Sequence, residues 1–480
     1  MARVIDPRRH RNERIAASIL ILLVAAAAAV AIWWNGREQK ELRSDRTYIP
    51  GPAVITPDVI ALQELVRIDS STPEGVAAAA RWIAAYLQRN GIRAELIESA
   101  PSRLNVYARI EGREPGDALL LFNHLDVVPP GDGWTVEPFA AKVFGEKLYG
   151  RGTVDMKALT ICQLVAFVAV AKSGRAPRHD LVFLATAEEE HGSREGMQWL
   201  LAHRSDLFHD VAYGLTEGGI TELVGQKLTY FGVEVGGKQL VHAVVSASTR
   251  DALRGARTSL EPFMFPRRAD RVVPAVRAYF EQVAPTRLQF RDALQDIDRT
   301  IREGRFWQLP PTYRDLVQNS LSTSAPRERD GRWEMDVFLI NLPDEQPEAR
   351  LAWLAKTIAP SGAFIRDVLV KEGPVVPSPH QTPLFALLTA EAEERYGVPA
   401  GVEVLYRSST DSRFLRRRGI VCYGISPYMV DYYQSRAIHG SDESITVGAF
   451  TSGVAYLRAV VEAWSDGLQA AERRLPSGDK

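Results

Sequence analysis

The run Ala118-Leu-Leu-Leu-Phe-Asn-His124-Leu-Asp126 decides the fold. Ala118 to Asn123 is continuous and uncharged, the pattern of a strand buried on both faces. It ends on an imidazole and a carboxylate two residues apart. Leu181 to Thr186 repeats the pattern and runs into Thr186-Ala-Glu188-Glu189-Glu190-His191-Gly192-Ser193. Val211 to Leu215 is a third short strand, followed by Thr216-Glu217-Gly218-Gly219. Helical patterns alternate with these strands: Val76 to Arg89, closed by Asn90-Gly91 in C-cap position, then Met156 to Lys172 and Gly196 to His203. Such alternation predicts an α/β sheet with helices on both faces. Ligands of these sheets bind beyond the carboxyl ends of the strands, where the charged clusters fall.

Two further clusters lie in loops. Tyr149-Gly-Arg-Gly-Thr-Val-Asp155-Met-Lys157 sets an Asp between a glycine-rich loop and a helix, as an N-cap or as a carboxylate bridging two cations. His439-Gly-Ser-Asp-Glu443 precedes the last long helix, Ile445 to Trp464. Three adjacent carboxylates, Glu188 to Glu190, would raise one another's pKa unless a cation sits among them. Together the clusters offer two imidazoles, three carboxylates and a spare Glu. Nitrogen and oxygen donors without thiolate suit zinc in an open hydrolytic site. The spare Glu can move a proton from water to a leaving amine.

The middle of the chain reads differently. Leu240 to Ser248 and Trp333 to Ile340 are strands, Glu345 to Ile358 is a helix, and Gly373-Pro-Val-Val-Pro-Ser-Pro379 is a linker. After it Thr382 to Tyr396 is helical, and Val402 to Tyr406 and Val421 to Ile425 are strands. The expected organisation is a catalytic α/β domain over 56–235 and 373–470, interrupted by an α+β lid over 236–372. A tail covers 471–480.

The first residues stand apart. Ile15 to Trp34 is an uncharged run of twenty residues, long enough to span a hydrocarbon core of about 30 Å. Arg3, Arg8, Arg9, Arg11 and Arg14 precede it, so residues 1–14 are expected in the cytoplasm and the bulk of the chain outside. Trp33 and Trp34 fit an interfacial belt, and 35–55 reads as a stalk. A cleaved signal peptide is the alternative, but the run exceeds the roughly 7–15 residues of its apolar core. Lys+Arg 58 against Asp+Glu 59 gives a net charge of -1, with no basic excess for nucleic acid and no acidic tail. Cys162 and Cys422 are too few for a thiolate zinc site. They read as two buried thiols, with one disulfide as the other reading.

The five clusters, in this order, resemble the co-catalytic dizinc family of carboxypeptidase S, glutamate carboxypeptidase, aminoacylase and acetylornithine deacetylase/succinyl-diaminopimelate desuccinylase. The resemblance runs from Thr56 to the end of the last helix. It implies a zinc-binding domain with an inserted lid that often mediates homodimerisation, and hydrolysis of a peptide or N-acyl-amino-acid amide bond. By motif, His124 would bind the first of two Zn2+ ions, which Co2+ or Mn2+ could replace, and Asp126 would orient it. Asp155 would bridge the ions, Glu189 would be the base, Glu190 would bind the second ion, and Glu217 and His439 would complete the two sites. A slip by one residue would make Glu188 the base. Ser408-Ser-Thr-Asp-Ser-Arg413 resembles the family's substrate loop, through Ser409, Thr410 and Arg413.

The lid departs from the family. Ser246 to Asp251 lacks the usual His, His242 lies within a strand, and Phe338 stands where an Arg would hold substrate. Arg250, Arg254 or Arg257 are the candidate substitutes. Two alternatives to a soluble-substrate carboxypeptidase or aminoacylase follow. One is a membrane-tethered hydrolase or synthase of lipid-like N-acyl amino acids, and the other is a binding module with a degenerate lid.

Overall fold

A computed structural model describes residues 50–467, apart from 220, 225–226, 265, 267–268 and 406–409. The expected anchor Ile15–Trp34, the basic segment before it, the tail 471–480 and Ser409 lie outside the described residues. Among the described residues no helix is long and apolar enough to cross a membrane.

Before the lid the strands are β1 (Glu95–Ala100), β2 (Arg103–Ile110), β3 (Ala118–His124), β4 (Lys142–Phe144), β5 (Lys147–Tyr149), β6 (Leu181–Thr186), β7 (Val211–Thr216), β8 (Thr221–Val224) and β9 (Lys227–Gly236). The stretch 236–372, expected as a lid, holds β10 (Gln239–Ala247), β11 (Ser320–Thr323), β12 (Arg327–Arg329), β13 (Arg332–Asn341) and β14 (Phe364–Lys371). After it come β15 (Ala400–Val404), β16 (Val421–Gly424) and β17 (Ser444–Thr446).

Nine strands form one mixed sheet in the order β1-β2-β6-β3-β7-β16-β9-β15, with β8 on β9. All residues of β3 and β6 are buried, because helices cover both sheet faces. Both runs are therefore apolar without alternation. The helix Lys157–Lys172 is buried nearly all round. It lies between the sheet and the closing helix Val447–Asp466, so it shows no polar stripe. Pro73 opens the helix Pro73–Arg89, and the Thr72 hydroxyl caps it by accepting from the Gly75 N–H at 3.2 Å.

Register positions the site. β3 runs parallel to β6 with His124 opposite Thr186, and parallel to β7 with Leu121 opposite Leu215. β16 runs parallel to β7 with Gly424 opposite Thr216. The carboxyl ends of these four strands share one rim. The small sheet β17-β5-β4 brings the segment before Val447 to the loop after Tyr149.

The stretch 236–372, expected as one insert, contributes to two cores. Its own sheet, β11-β13-β10-β14, alternates with period two. Val241, Ala243, Val245, Met335, Val337 and Leu339 face the helices Arg250–Met264 and Pro347–Ile358. Residues 274–317 instead return to the catalytic sheet. On the helix Pro274–Val283, Val276, Tyr279, Phe280 and Val283 form a helical stripe buried in the main core, against β15. Gln282 accepts the Val402 N–H at 2.7 Å, so this segment also satisfies the outer strand of the sheet. Cys162 and Cys422 are free and fully buried, which settles the thiol reading over the disulfide.

Leu121 is fully buried at the centre of β3. Leu121→Ala is expected to destabilise the protein by about 2–5 kcal/mol, read as a lower midpoint in urea unfolding. A change under about 1 kcal/mol would contradict this account of β3.

Candidate metal centre

Three strands of the rim deliver charged residues where their backbones leave the sheet. β3 ends on His124, the turn after β6 carries Glu188 to Glu190, and Glu217 follows β7. Asp155 comes from the loop before the helix Lys157–Lys172, and His439 from the loop before β17. His124 Nε2 lies 3.1 Å from Asp155 Oδ1 and 3.8 Å from Glu217 Oε1. His439 Nε2 lies 3.0 Å from Asp155 Oδ2 and 3.1 Å from Glu190 Oε1. The two oxygens of Asp155 thus face two different imidazoles. His124, Glu189 and Glu217 form one group whose donor atoms lie within 4.8 Å of one another, and His124, Asp155 and Glu190 form a second.

Two carboxylates hold the loops that carry these groups. Asp126 was expected to orient His124 with its carboxylate. His124 Nδ1 lies 2.9 Å from the Asp126 backbone carbonyl and 3.6 Å from its carboxylate Oδ1. The carboxylate accepts the N–H groups of Glu189 at 3.0 Å and Glu190 at 3.1 Å. It therefore fixes the acidic turn as well as lying beside the imidazole. Glu443, fully buried, accepts the N–H groups of Gly152, Val154 and Asp155 at 2.9, 2.8 and 3.2 Å. It clamps the loop of Asp155, whose Asp155–Met156 peptide is cis. Sequence reasoning passed over Glu443, although it closes the same motif as His439. A carboxylate at that spacing, near a glycine-rich loop full of unpaired N–H groups, was the available signal.

The acidic turn resolves into distinct orientations. Glu188 adopts φ 67° and its carboxylate accepts the Glu195 N–H at 2.7 Å, turned into its own loop. Glu189 Oε1 lies 3.4 Å from Arg413 Nη1. His191 flanks the site, half exposed, with Nδ1 3.7 Å from Asp126 Oδ2. Arg413, expected to meet substrate, is 8% exposed and set between Glu189 and Glu372. Thr410 is buried and bonded to the Ser412 hydroxyl at 2.6 Å. In the lid, His242 pairs with Asp336 at 3.0 Å and stacks on Phe338, and Arg250 lies over Trp333.

Residues 120–463 match the family described as peptidase family M20/M25/M40. The chain belongs to this family. It is 42% identical over 155 residues to a succinyl-diaminopimelate desuccinylase from Methylobacterium sp. (strain 4-46), a stretch covering 31% of this chain and 38% of that relative. The match thus spans well under half of the relative's length. An M20 family metallo-carboxypeptidase from Sulfolobus solfataricus superposes with a TM-score of 0.65 at 16% identity, over 86% of this chain and 100% of that one. Human carnosine dipeptidase 1 gives 0.65 at 15% identity, over 85% and 96%. At such identities the likeness is one of fold.

The electrostatics of this M20 chain show whether the cluster fits divalent cations. Burial lifts the Glu217 carboxyl to about 7, and the Asp155 charge adds to it. Burial, with Asp411 and Glu217, lifts Glu189 well above its ordinary value. Hydrogen bonds to Asp155 and Glu190 raise His439 to about 10. Against the effect of burial, hydrogen bonds from His124 and His439 hold Asp155 well below the usual carboxylate range. Two imidazoles and three or four carboxylates converge with excess negative charge, and protons fill the places of positive charge. A donor set of nitrogen and oxygen with this charge fits two divalent cations.

Those protons set a pH dependence. Glu217 and His439 bind theirs more tightly folded than unfolded, where the values are 4.5 and 6.5. Each contributes stability that is complete below its unfolded value and is lost as pH rises through its folded value. Asp126 and Asp155, held low, contribute stability that is already complete above about pH 5. Burial holds Lys157 down at about 7, so above that pH its gain opposes the loss from His439. The metal-free protein is therefore expected to melt at falling temperature from about pH 5 to about pH 7. Glu217→Gln should make that fall shallower. A melting temperature that climbed across this range would refute the assignment.

Proposed function

We propose that the protein is a two-metal amidohydrolase that cleaves the amide bond of a short peptide or an N-acyl amino acid. The carrying observation is the Asp155 carboxylate, set between His124 Nε2 at 3.1 Å and His439 Nε2 at 3.0 Å. In this reading His124, Asp155 and Glu217 hold one divalent cation, and His439, Asp155 and Glu190 hold the other. Zinc suits the donors, and Co2+ or Mn2+ can substitute. Bound there, the pair supplies Lewis-acid polarisation of the amide carbonyl and acidifies the attacking water.

The chain's own groups do the rest. Glu189 lies in the same cluster but faces Arg413, which suits a group left to act on water. It takes the proton of the water as the oxygen adds to the carbonyl carbon. It returns that proton to the amide nitrogen as the C–N bond breaks, which leaves a carboxylate and a free amine. Asp126 holds the Glu189 and Glu190 backbone, so base and ligand keep a fixed spacing. The relatives' names, a desuccinylase and a dipeptidase, support amide substrates of small size. The apolar run Ile15–Trp34 with its preceding arginines supports a single-pass anchor and an extracytoplasmic catalytic domain. The family's lid supports a homodimer.

The test uses the purified protein, loaded with zinc, and a panel of dipeptides and N-acyl amino acids, with free amine as readout. Release is expected, abolished by a chelator and restored by metal. Glu189→Gln should lower it by about 10²–10⁴-fold without loss of bound metal. Undiminished turnover in Glu189→Gln would end the proposed mechanism.

A further inference from the structure

The polypeptide enters the lid between Gly236 and Gln239 and leaves it at Lys371. Glu372, the next residue, is 7% exposed and ties both passages together. Its N–H donates to the Leu240 carbonyl at 3.1 Å. Its Oε2 accepts the Leu240 N–H at 2.7 Å. Its Oε1 stands 2.8 Å from Arg413 Nε. Arg413 lies on the short helix Ser412–Arg416 of the catalytic domain, stacked over the Phe414 ring. Its far end, Nη1, is the 3.4 Å neighbour of Glu189 Oε1. An unbroken line of contacts therefore runs from the lid hinge to the residue assigned as base.

We infer that Glu372 is a positioning residue that sets, through Arg413, where the Glu189 carboxylate stands, and so couples the lid hinge to proton transfer. This rests on the role proposed for Glu189. A guanidinium is a rigid fork that grips a carboxylate through two parallel bonds, at about 2.7–2.9 Å each. Here the grip on Glu189 is one long contact, and Nε of the same guanidinium stands 2.8 Å from Glu372. One guanidinium is shared by two carboxylates, and Glu372 holds it back. If Glu372 moves with the hinge strands, the fork is free to turn onto Glu189 and hold its oxygens away from water. A small cavity of about 10 Å³, lined by Gly237, Lys238, Glu372, Thr410 and Arg413, lies where Arg413 meets the hinge.

The test compares Glu372→Gln, Glu372→Asp and Arg413→Lys with the unaltered full chain, all zinc-loaded, by kinetics and by crystallography. Glu372→Gln is expected to lower kcat by about ten- to hundredfold, with KM within about twofold and both metals retained. Glu372→Asp keeps the charge and should recover most of the rate. Arg413→Lys loses the fork and should fall as Glu372→Gln does, and the double variant should be no slower than either single one. In the Glu372→Gln crystal structure the Arg413–Glu189 contact should close well below 3.4 Å, the present value. An unchanged contact, an unchanged kcat, or single effects that multiply in the double variant would each overturn the inference. If the unaltered protein releases no amine from any substrate, the hydrolase reading fails. The crystallographic comparison then still decides whether Glu372 governs the Arg413–Glu189 contact.

Discussion

The parallel pairing of β3 with β6 and β7 is the constraint on which everything else depends. Hydrogen bonds between strand backbones fix the register to a single residue, and a slip would turn every side chain to the opposite face. Because His124 stands opposite Thr186 and Leu121 opposite Leu215, three successive turns open on one rim. The apolar runs that make these strands do not touch substrate. They set the heights at which an imidazole, an acidic turn and Glu217 emerge.

Bringing so much negative charge together is unfavourable in a partly buried place. The chain meets this with backbone donors more than with cationic side chains. Asp126 takes two N–H groups and Glu443 takes three. Each carboxylate thereby converts a loop that would otherwise wander into a scaffold of fixed shape. Arg413 and Arg151, both buried, are paired with carboxylates, and buried Lys157 donates to the Ile68 carbonyl. The remaining charge is suited to balance by divalent metal.

The elements that position the site were legible in the sequence because they are simple cases. The strands Ala118–His124 and Leu181–Thr186 carry unbroken apolar runs up to Phe122 and Ala185, and the helix read from Val76 closes on Asn90-Gly91, although it begins three residues earlier at Pro73. The candidate ligands were legible because each ends or follows a strand or lies in a short loop that contains glycine. What escaped was support at long range. Asp126 bonds residues more than sixty positions away, and Glu443 nearly three hundred away. No periodicity records such contacts. The hairpin of β8 and β9 was also missed, since its alternation is short and broken by glycine. The helix Pro274–Val283 carries an apolar stripe that reads equally well as lid or as catalytic domain. Only the partner surface, β15, decides between them.

That helix has a mechanical consequence. A lid spliced into a loop is joined to its host by two passages of chain and can twist as well as swing. Here the polypeptide leaves the lid after Arg250–Met264 to cover β15 and comes back at β11 before leaving again after β14. Four passages of chain therefore join the second sheet to the main one, not two. Four attachments along a boundary act like a piano hinge, which resists torsion and leaves tilting as the soft direction. Four ties of this kind make the second sheet a braced panel, and Glu372 stands beside one of the braces.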